Sequence, residues 1–274
     1  MNILHLSDLH LRPEGMKAYG IVDSYATAQR ACDAIANLAV RVDAVIITGD
    51  LADCGFAEEY QRLYGILARL APLPVFVIPG NHDRREEMLA HLPGLRHNGG
   101  FIQYCIEDFP VRLVLLDSVI ASETHGTLCP ARLAWLERTL AAQPERETMI
   151  ALHHPPFLTG VRQFDDINLR NYEEFRSLIA RHKQVTRIIS GHHHRMIVGN
   201  VAQALCFVAP SVAYQFMLTH DAGIEMGFNL EPPAFLLHSW VRGQGFATQS
   251  AFVEPFPGPF PILLGEDYPG CVVS

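Results

Sequence analysis

Short apolar runs alternate with amphipathic segments over the first two-thirds of the 274-residue chain. Such runs predict buried strands, namely Ile3–Leu6, Ala44–Thr48, Val75–Ile78, Arg112–Leu116, Met149–Leu152 and Arg187–Ser190. The segments between them predict helices near 24–38, 57–70, 84–91, 130–141 and 168–181. Strands and helices that alternate in this way predict a layered α/β fold, and the fully apolar strands suit a sheet covered on both faces.

The pattern changes after about residue 196, where the alternation stops and glycine and proline become more frequent. Two aromatic-rich runs, Phe235–Val241 and Phe246–Val253, predict antiparallel strands. We therefore expect a main domain over 1–196, a small C-terminal cap or oligomerisation unit over 197–254, and an extended strap over 255–274.

Polar, metal-competent residues follow five of the predicted strands. The clusters are Asp8-Leu9-His10, Gly49–Asp53, Gly80–Asp83, His153–Pro156 and Gly191–His194. In open α/β sheets, ligands bind beyond the carboxyl ends of the strands, so these clusters are expected to converge on one crevice. A single cluster is more often a turn or a helix cap, but five of them in order predict a cation site.

The ordered set DxH, GDxxD, GNHD, HHPP and GHxH resembles the signature of the calcineurin-like metallophosphoesterase superfamily, over residues 1–195. The runs Tyr19–Asp23 and His153–Pro156 resemble bacterial glycerophosphodiesterases and class III cyclic-nucleotide phosphodiesterases. The resemblance implies a four-layer α/β/β/α sandwich, with 1–196 as the catalytic domain. It also implies a centre of two divalent metal ions, about 3.5–4 Å apart, that clamp the oxygens of the reacting phosphate.

Carried over motif by motif, the resemblance implies two groups of metal ligands. One metal takes Asp8, His10 and His194, and the other takes Asn81, His153 and His192. Asp50 bridges the two, because its carboxylate has two oxygens. Mixed nitrogen and oxygen ligation suits Fe, Mn, Zn or Co.

His82 does not fit this ligand set and is expected to face the substrate. It is a candidate catalytic residue that protonates the leaving oxygen or stabilises its charge. Asp53 is the second candidate catalytic residue, as the carboxylate partner of His82; a helix or turn cap is its alternative role. Asn81, His82 and Tyr19 are expected to contact the substrate. His154 and His193 are expected to support the ligands or to pack.

The charge of the implied centre favours diesters. Two carboxylates, two divalent cations, one hydroxide and one phosphodiester sum to zero. Protein phosphatases of the superfamily carry Arg-Gly directly after GDxxD, whereas this chain carries Cys54 and Gly55. We therefore expect hydrolysis of small, glycerophosphodiester-like substrates through attack by a metal-bound hydroxide. The alternatives are a 3′,5′-cyclic nucleotide (cAMP) phosphodiesterase, a non-catalytic binding scaffold and a DNA nuclease.

The net charge of −8, from 21 basic and 29 acidic residues, argues against a nucleic-acid polymer as partner. No apolar run reaches the roughly 18 residues of a membrane span, and no signal peptide is recognised at the N-terminus. Six cysteines without zinc-type spacing predict free thiols and a cytoplasmic protein. Cys54 and Cys271 are the exception, as a possible pair. The apolar C-terminal region predicts a homo-oligomer, a dimer or higher.

Overall fold

The computed structural model describes residues 1–221 and 223–260. Its helices are α1 (Ser24–Ala36), α2 (Ala57–Ala68), α3 (Arg85–His91), α4 (Pro130–Ala141), α5 (Arg162–Asp165) and α6 (Tyr172–Arg181). Its first seven strands are β1 (Asn2–Leu6), β2 (Ala44–Ile47), β3 (Val75–Val77), β4 (Tyr104–Ile106), β5 (Arg112–Leu115), β6 (Thr148–Ala151) and β7 (Val185–Ser190). The later strands are β8 (Ile197–Val201), β9 (Ala204–Val208), β10 (Gln215–Phe216), β11 (Phe228–Asn229), β12 (Ala234–Val241) and β13 (Gly245–Phe252).

Most of the strands form two stacked sheets. The first has the order β13-β12-β1-β2-β3 and the second β4-β5-β6-β7-β9-β8. In the first sheet β1, β2 and β3 run parallel, as do β5, β6, β7 and β9 in the second. The carboxyl ends of the parallel strands therefore carry the loops predicted to hold the site.

The side chains of β5 point alternately to the two faces of the second sheet and show that the fold has four layers. Leu113 and Leu115 face the first sheet and join a core that also contains apolar residues of α1 and α2. Val114 faces the other way and packs in a second core with residues of α4 and α6. Because successive side chains of a strand point to opposite faces, the layer order is helix, sheet, sheet, helix. This arrangement confirms the predicted α/β class.

The predicted helices are confirmed, with small shifts at their ends. Asp23 caps α1, because its side chain accepts a hydrogen bond from the backbone N–H of Ala26. Pro130 begins α4, where a missing N–H costs nothing. The last helix begins at Tyr172 rather than near residue 168, because Leu169 and Arg170 pair with Gly126 in a short parallel bridge.

The predicted boundary at residue 196 is wrong. Strands β8 and β9 complete the second sheet, where β9 pairs with β7. Strand β12 pairs with β1 along its length, from Asn2 opposite Ser239 to His5 opposite Leu236. The two aromatic runs are antiparallel strands as predicted, but they belong to the first sheet. The frequent glycine and proline residues mark the connections between these strands and not a separate unit.

Residues 209–233 are the part of the predicted cap that lies outside the two sheets. They contain β10 and β11, which pair through Gln215 with Asn229 and Phe216 with Phe228. Of the predicted strap, residues 255–260 follow β13 with exposed Phe256 and Phe260, and residues 261–274 lie outside the described residues. Within the described part of the chain, no helix is both long and apolar enough to cross a membrane.

Candidate metal centre

The loops that follow β1, β2 and β7 hold five of the predicted ligands in an unusual backbone conformation. Asp8, His10, Asp50, His192 and His194 have φ values of 56°, 45°, 49°, 73° and 49°. Residues with a Cβ seldom adopt this left-handed region, which costs about 1–3 kcal/mol, and such strain concentrates at functional sites. The surrounding structure therefore holds these side chains in place against a local preference.

The first group of donors lies at the ends of β1 and β7. The Nε2 atoms of His10 and His194 lie 3.1 Å apart, and His194 Nε2 lies 3.3 Å from Asp8 Oδ1. Asp50 Oδ2 lies 3.6 Å from His10 Nε2. All four side chains are buried.

The second group lies at the ends of β3, β6 and β7. His153 Nε2 lies 3.1 Å from His192 Nδ1 and 3.1 Å from Asn81 Oδ1. Asp50 Oδ2 lies 3.4 Å from the same His153 nitrogen. One carboxylate oxygen of Asp50 therefore faces both groups.

The ring nitrogens that point away from the centre are all held by hydrogen bonds. Each such N–H donates to an oxygen: His10 Nδ1 to Asp53 Oδ1 (3.0 Å), His153 Nδ1 to Thr48 O (2.6 Å), His192 Nε2 to Ile167 O (3.1 Å) and His194 Nδ1 to Tyr214 O (3.0 Å). In a neutral ring this pattern fixes the tautomer and leaves the lone pair on the inner nitrogen. Four inner nitrogens face one another, which is an arrangement for cation binding when the rings are neutral.

The pKa shifts of Asp50 and His153 also favour cation binding at the centre. Burial opposes ionisation of Asp50, yet His153 and His82 hold the pKa of its carboxyl well below the usual range. Burial would lower the pKa of His153, but the Asp50 carboxylate raises it to about 9. Without metal, a proton on His153 balances Asp50. A divalent cation takes the place of that proton, because metal binding requires neutral imidazole. The residues therefore fit a two-metal centre.

Close approach of two loops makes glycine necessary beside this centre. Gly49 has a φ of 100°, and a Cβ on it would lie 2.6 Å from the backbone nitrogen of Gly80 and 2.7 Å from His153 Nδ1. The glycines of the GDxxD and GNHD motifs thus let the second and third strands end against each other. The motif glycines thus allow the close approach of the two loops, and the polar residues of the same motifs provide the donor atoms.

The predicted pairing of the Asp53 carboxylate with His82 is wrong. The Asp53 carboxylate accepts a hydrogen bond from His10 and lies 3.2 Å from Arg12 Nη1. His82 contacts Asp53 through the main chain, because its Nδ1 lies 2.6 Å from the Asp53 carbonyl oxygen. Asp53 therefore supports a metal ligand, and its backbone orients His82.

The environment of His82 still suits a positively charged ring. Burial opposes protonation, but the Asp50 carboxylate and the Asp53 carbonyl raise the pKa of His82 above its ordinary value. The ring packs edge-on against His10, with centroids 4.7 Å apart. His82 lies beside the two donor groups, and its ring is also within 4.8 Å of donor atoms of His10 and Asp53.

Tyr19 lies next to the centre but does not reach it. Its ring is 60% exposed and packs edge-on against Tyr214, with centroids 5.5 Å apart. Tyr214 in turn packs 4.6 Å from His194. Tyr19 therefore stands one aromatic ring away from a metal ligand, with a free face towards solvent.

His154 and His193 lie beside the candidate ligands, and one ring nitrogen of His154 is within 4.8 Å of donor atoms of His153 and His192. His154 Nδ1 lies 2.7 Å from Ser118 Oγ, and its Nε2 lies 3.2 Å from the Thr124 carbonyl oxygen. The His193 ring stacks on Phe164 at 4.5 Å, and its nitrogens have no hydrogen-bond partner among the described residues. His154 is thus fixed by hydrogen bonds and His193 by packing.

The sequence analysis missed the role of Asp83. Its buried carboxylate accepts hydrogen bonds from the backbone N–H groups of Leu51, Ala52 and Gly80 and from the Tyr60 hydroxyl. These bonds tie the GDxxD loop to the GNHD loop. Its place as the last residue of GNHD is the available signal, but the motif alone does not show which groups its carboxylate binds.

A mixed α/β sandwich with seven converging nitrogen and oxygen donors defines a metal-dependent phosphoesterase with a dinuclear site. The chain belongs to the calcineurin-like phosphoesterase family, whose sequence profile it matches over residues 1–196.

Two relatives show how far the similarity extends. A probable glycerophosphodiester phosphodiesterase, GpdQ of Arcobacter nitrofigilis, is 33% identical over 265 residues, which cover 96% of this chain and 97% of the relative. The 3′,5′-cyclic adenosine monophosphate phosphodiesterase CpdA of Escherichia coli K12 is 30% identical over 216 residues, covering 79% of this chain and 78% of the relative. A dimetal phosphatase from Danio rerio has a TM-score of 0.63 at 14% identity, over 93% of this chain and 99% of that one, and so shares the fold.

Proposed function

We propose that this chain hydrolyses small phosphodiesters of the glycerophosphodiester class with two divalent metal ions. The observation that carries the proposal is the position of Asp50 Oδ2, which lies 3.6 Å from His10 Nε2 and 3.4 Å from His153 Nε2. A carboxylate shared in this way can hold two cations close together. Such a pair of cations activates water and polarises the phosphoryl group.

The protein's own side chains account for the remaining steps. Asn81 directs Oδ1 towards His153, so its amide N–H groups stay available for a phosphoryl oxygen of the substrate. His82 directs Nδ1 to the Asp53 carbonyl oxygen, so its Nε2 is the atom that holds a proton for the leaving oxygen. Positioned proton donors of this kind contribute about 10²–10⁴-fold to a rate.

The preference for diesters rests on charge. Asp8 and Asp50 are the carboxylates nearest the inner histidine nitrogens, and two divalent cations exceed their charge. A monoanionic diester together with a hydroxide restores neutrality, whereas a dianionic monoester would leave an excess of negative charge. Cys54 stands where related protein phosphatases carry arginine, which removes a cation that would help a monoester.

A cyclic nucleotide is the second candidate substrate, and Tyr19 is the observation that favours it. The 60% exposed Tyr19 ring lies 5.0 Å from the Phe228 ring and forms an aromatic edge beside the centre. A purine base can stack on such a surface, as bases do on aromatic side chains elsewhere. A relative named for each of the two activities has a similar identity to this chain, 33% for GpdQ and 30% for CpdA.

One panel of substrates separates these possibilities. The purified, metal-loaded enzyme is assayed on glycerophosphocholine, glycerophosphoethanolamine, cyclic AMP and a matched pair of aryl mono- and diesters. We expect the highest kcat/KM on a glycerophosphodiester, and a higher kcat/KM for the aryl diester than for the monoester. Equal or higher efficiency on the aryl monoester would refute the charge argument, and higher efficiency on cyclic AMP would reverse the two candidates.

Metal identity, assembly and location are further parts of the proposal. The nitrogen-rich donor set supports Fe, Mn, Zn or Co. Exposed Phe252 and Phe256, whose rings pack 5.3 Å apart, support a homo-oligomer that covers this end of the chain. Five described cysteines are free thiols, which supports a cytoplasmic location. The sixth, Cys271, lies outside the described residues, so its predicted pairing with Cys54 stays a prediction.

A further inference from the structure

A cavity of about 460 Å³ opens beside His82. Asn81 and His82 form one wall, the start of α3 forms the second, and the loop around Ser122 forms the third. Because Asn81 and His82 border both this cavity and the candidate metal centre, a diester held at the centre places one of its two alcohol groups on this side. The volume is sufficient for a small alcohol with several polar atoms.

Several charged groups in this wall already have partners. The Asp53 carboxylate is engaged by His10 and Arg12. Arg85 forms a two-pronged ion pair with Asp117, with N–O distances of 2.6 and 2.7 Å. These groups hold the cavity together and are not free to recognise a ligand.

The Asp83 carboxylate also lines the wall and is held by backbone N–H groups and the Tyr60 hydroxyl. Arg84 and Glu86 are the other charged residues of the wall. Both side chains are exposed, and within 1–221 and 223–260 neither takes part in an ion pair of 4.0 Å or less, unlike the neighbouring Arg85 and Glu87. They have opposite signs and lie two residues apart at the start of α3. One cation and one anion therefore border the same cavity without a partner.

The local structure limits where the Arg84 side chain can go. A Cβ on Gly55 would lie 2.6 Å from Arg84 Cγ, so the stem of Arg84 occupies the space that the glycine leaves. The guanidinium carbon also lies 5.8 Å from the centre of the Phe56 ring, within range of a cation–π contact. Gly55 and Phe56 thus keep the Arg84 stem along the cavity wall.

We propose that this cavity binds the alcohol part of the diester and selects alcohols that carry both an ammonium and a carboxylate group, as serine does. The proposal rests on the function proposed above. Arg84 pairs with the carboxylate in the planar geometry that guanidinium favours, and Glu86 pairs with the ammonium. Hydrolysis breaks the bond between phosphorus and the alcohol oxygen. Water supplies the new oxygen on phosphorus, and His82 supplies the proton to the alcohol.

Three diesters that share the glycerol phosphate moiety test this pocket. Glycerophosphoserine offers both charges, glycerophosphoethanolamine only the ammonium, and glycerophosphoglycerol neither. For Arg84→Gln, we expect the ratio of kcat/KM for the serine diester to that for the glycerol diester to fall about tenfold, which corresponds to one exposed charge-assisted contact. For Glu86→Gln, we expect the serine and ethanolamine diesters both to lose about tenfold relative to the glycerol diester.

Arg41→Gln is the matched control. Its guanidinium is 90% exposed, and Arg41 lies before β2, at the end of the sheet opposite to the centre. It should leave all three ratios unchanged. Ratios that do not change in Arg84→Gln and Glu86→Gln, or a loss of the same size for all three diesters, would overturn the pocket assignment while hydrolysis itself stands. A wild-type enzyme that hydrolyses none of the three diesters would overturn the proposed function, and the assignment with it.

Discussion

Two sets of buried histidines, one within the first sheet and one at the carboxyl ends of strands from both sheets, differ in how their nitrogens are used. At the strand ends, His10 directs one ring nitrogen to Asp53 and the other towards His194. In the middle of the sheet, His5 Nε2 lies 2.9 Å from Thr48 Oγ1, and His5 Nδ1 lies 3.3 Å from His238 Nε2. His238 Nδ1 then lies 2.8 Å from Thr248 Oγ1.

Burial alone therefore does not mark a metal ligand. His5 and His238 are both 0% exposed, as is the ligand candidate His153. The difference lies in the inner nitrogens: those of the centre face each other across a space lined by carboxylates, whereas those of the His5–His238 pair each meet a hydroxyl or the other ring. Five of the candidate ligands also have a left-handed backbone conformation in the loops after the strands, while His5 and His238 lie within regular strands.

The strongest test of this contrast is removal of metal. We expect two divalent ions per chain by elemental analysis, loss of turnover to the background rate on chelation, and recovery with Mn, Co, Zn or Fe. Asp50→Ala should also reduce turnover to background, because it weakens both donor groups at once. His238→Leu should keep both ions. Full turnover in demonstrably metal-free enzyme would contradict the assignment of the centre.

The next largest effect concerns His82, a half-buried histidine that belongs to neither set. His82→Ala should lower kcat by about 10²–10⁴-fold on a glycerophosphodiester with both metals still bound. The loss should shrink for a nitrophenyl diester, because nitrophenolate leaves without a proton. Rates on the two substrates and the metal content of the variant are the measurements. An emptied metal site, or equal losses on both substrates, would make His82 a ligand or an electrostatic clamp.

The strand ends and their polar residues could be predicted because the signal is local. An apolar run followed at once by Asp, His or Asn shows both a buried strand and what its carboxyl end presents, as at Asp8 and Asp50. Parallel pairing then brings these ends to one edge of the sheet. Five strand ends of this kind, in order along the chain, are enough to predict both the fold and the position of the centre.

Choices among neighbours in space could not be predicted from the sequence. Asp53 lies next to both His10 and His82. Its side-chain rotamer directs the carboxylate to His10, and its backbone directs the carbonyl oxygen to His82. Sheet membership in the C-terminal region is a similar case, because β12 joins a strand more than 200 positions earlier. Neither the partner of the Asp53 carboxylate nor the sheet that β12 joins affects the local pattern of apolar and polar residues.

Asp53 also offers a test of intermediate size. Asp53→Asn should weaken metal binding by about 10–100-fold, the usual cost of losing the carboxylate that orients a metal-bound histidine. Titration of the metal-free protein with Co, followed by its absorption spectrum, measures this directly. Asp33→Asn, at a carboxylate that is 61% exposed and paired with Arg69, is the matched control. Unchanged affinity, with a loss confined to substrates that have poor leaving groups, would restore the pairing of the Asp53 carboxylate with His82.

The smallest expected effect tests the other set of histidines. Burial lowers the pKa of His5 to about 3, and burial together with His5 lowers the pKa of His238 well below its ordinary value. An unfolded histidine titrates near pH 6.5, so as the pH falls below that value the unfolded chain takes up protons that the folded pair refuses. Each ring therefore makes stability fall with decreasing pH, by up to about 1.4 kcal/mol per pH unit.

His238→Leu should be less stable than the wild type at neutral pH, since it removes the partner of His5 Nδ1 and the ring nitrogen that meets the Thr248 hydroxyl. Its stability should nevertheless fall less steeply between pH 6 and pH 4, because one titrating ring is gone. Urea unfolding of the metal-free proteins across this range gives both quantities, with a slope difference of about 1 kcal/mol per pH unit expected. His97→Leu, at an exposed histidine, is the matched control. Equal slopes for wild type and His238→Leu would mean that the pair is protonated in the fold, and the contrast between the two sets of histidines would then lie in their partners alone.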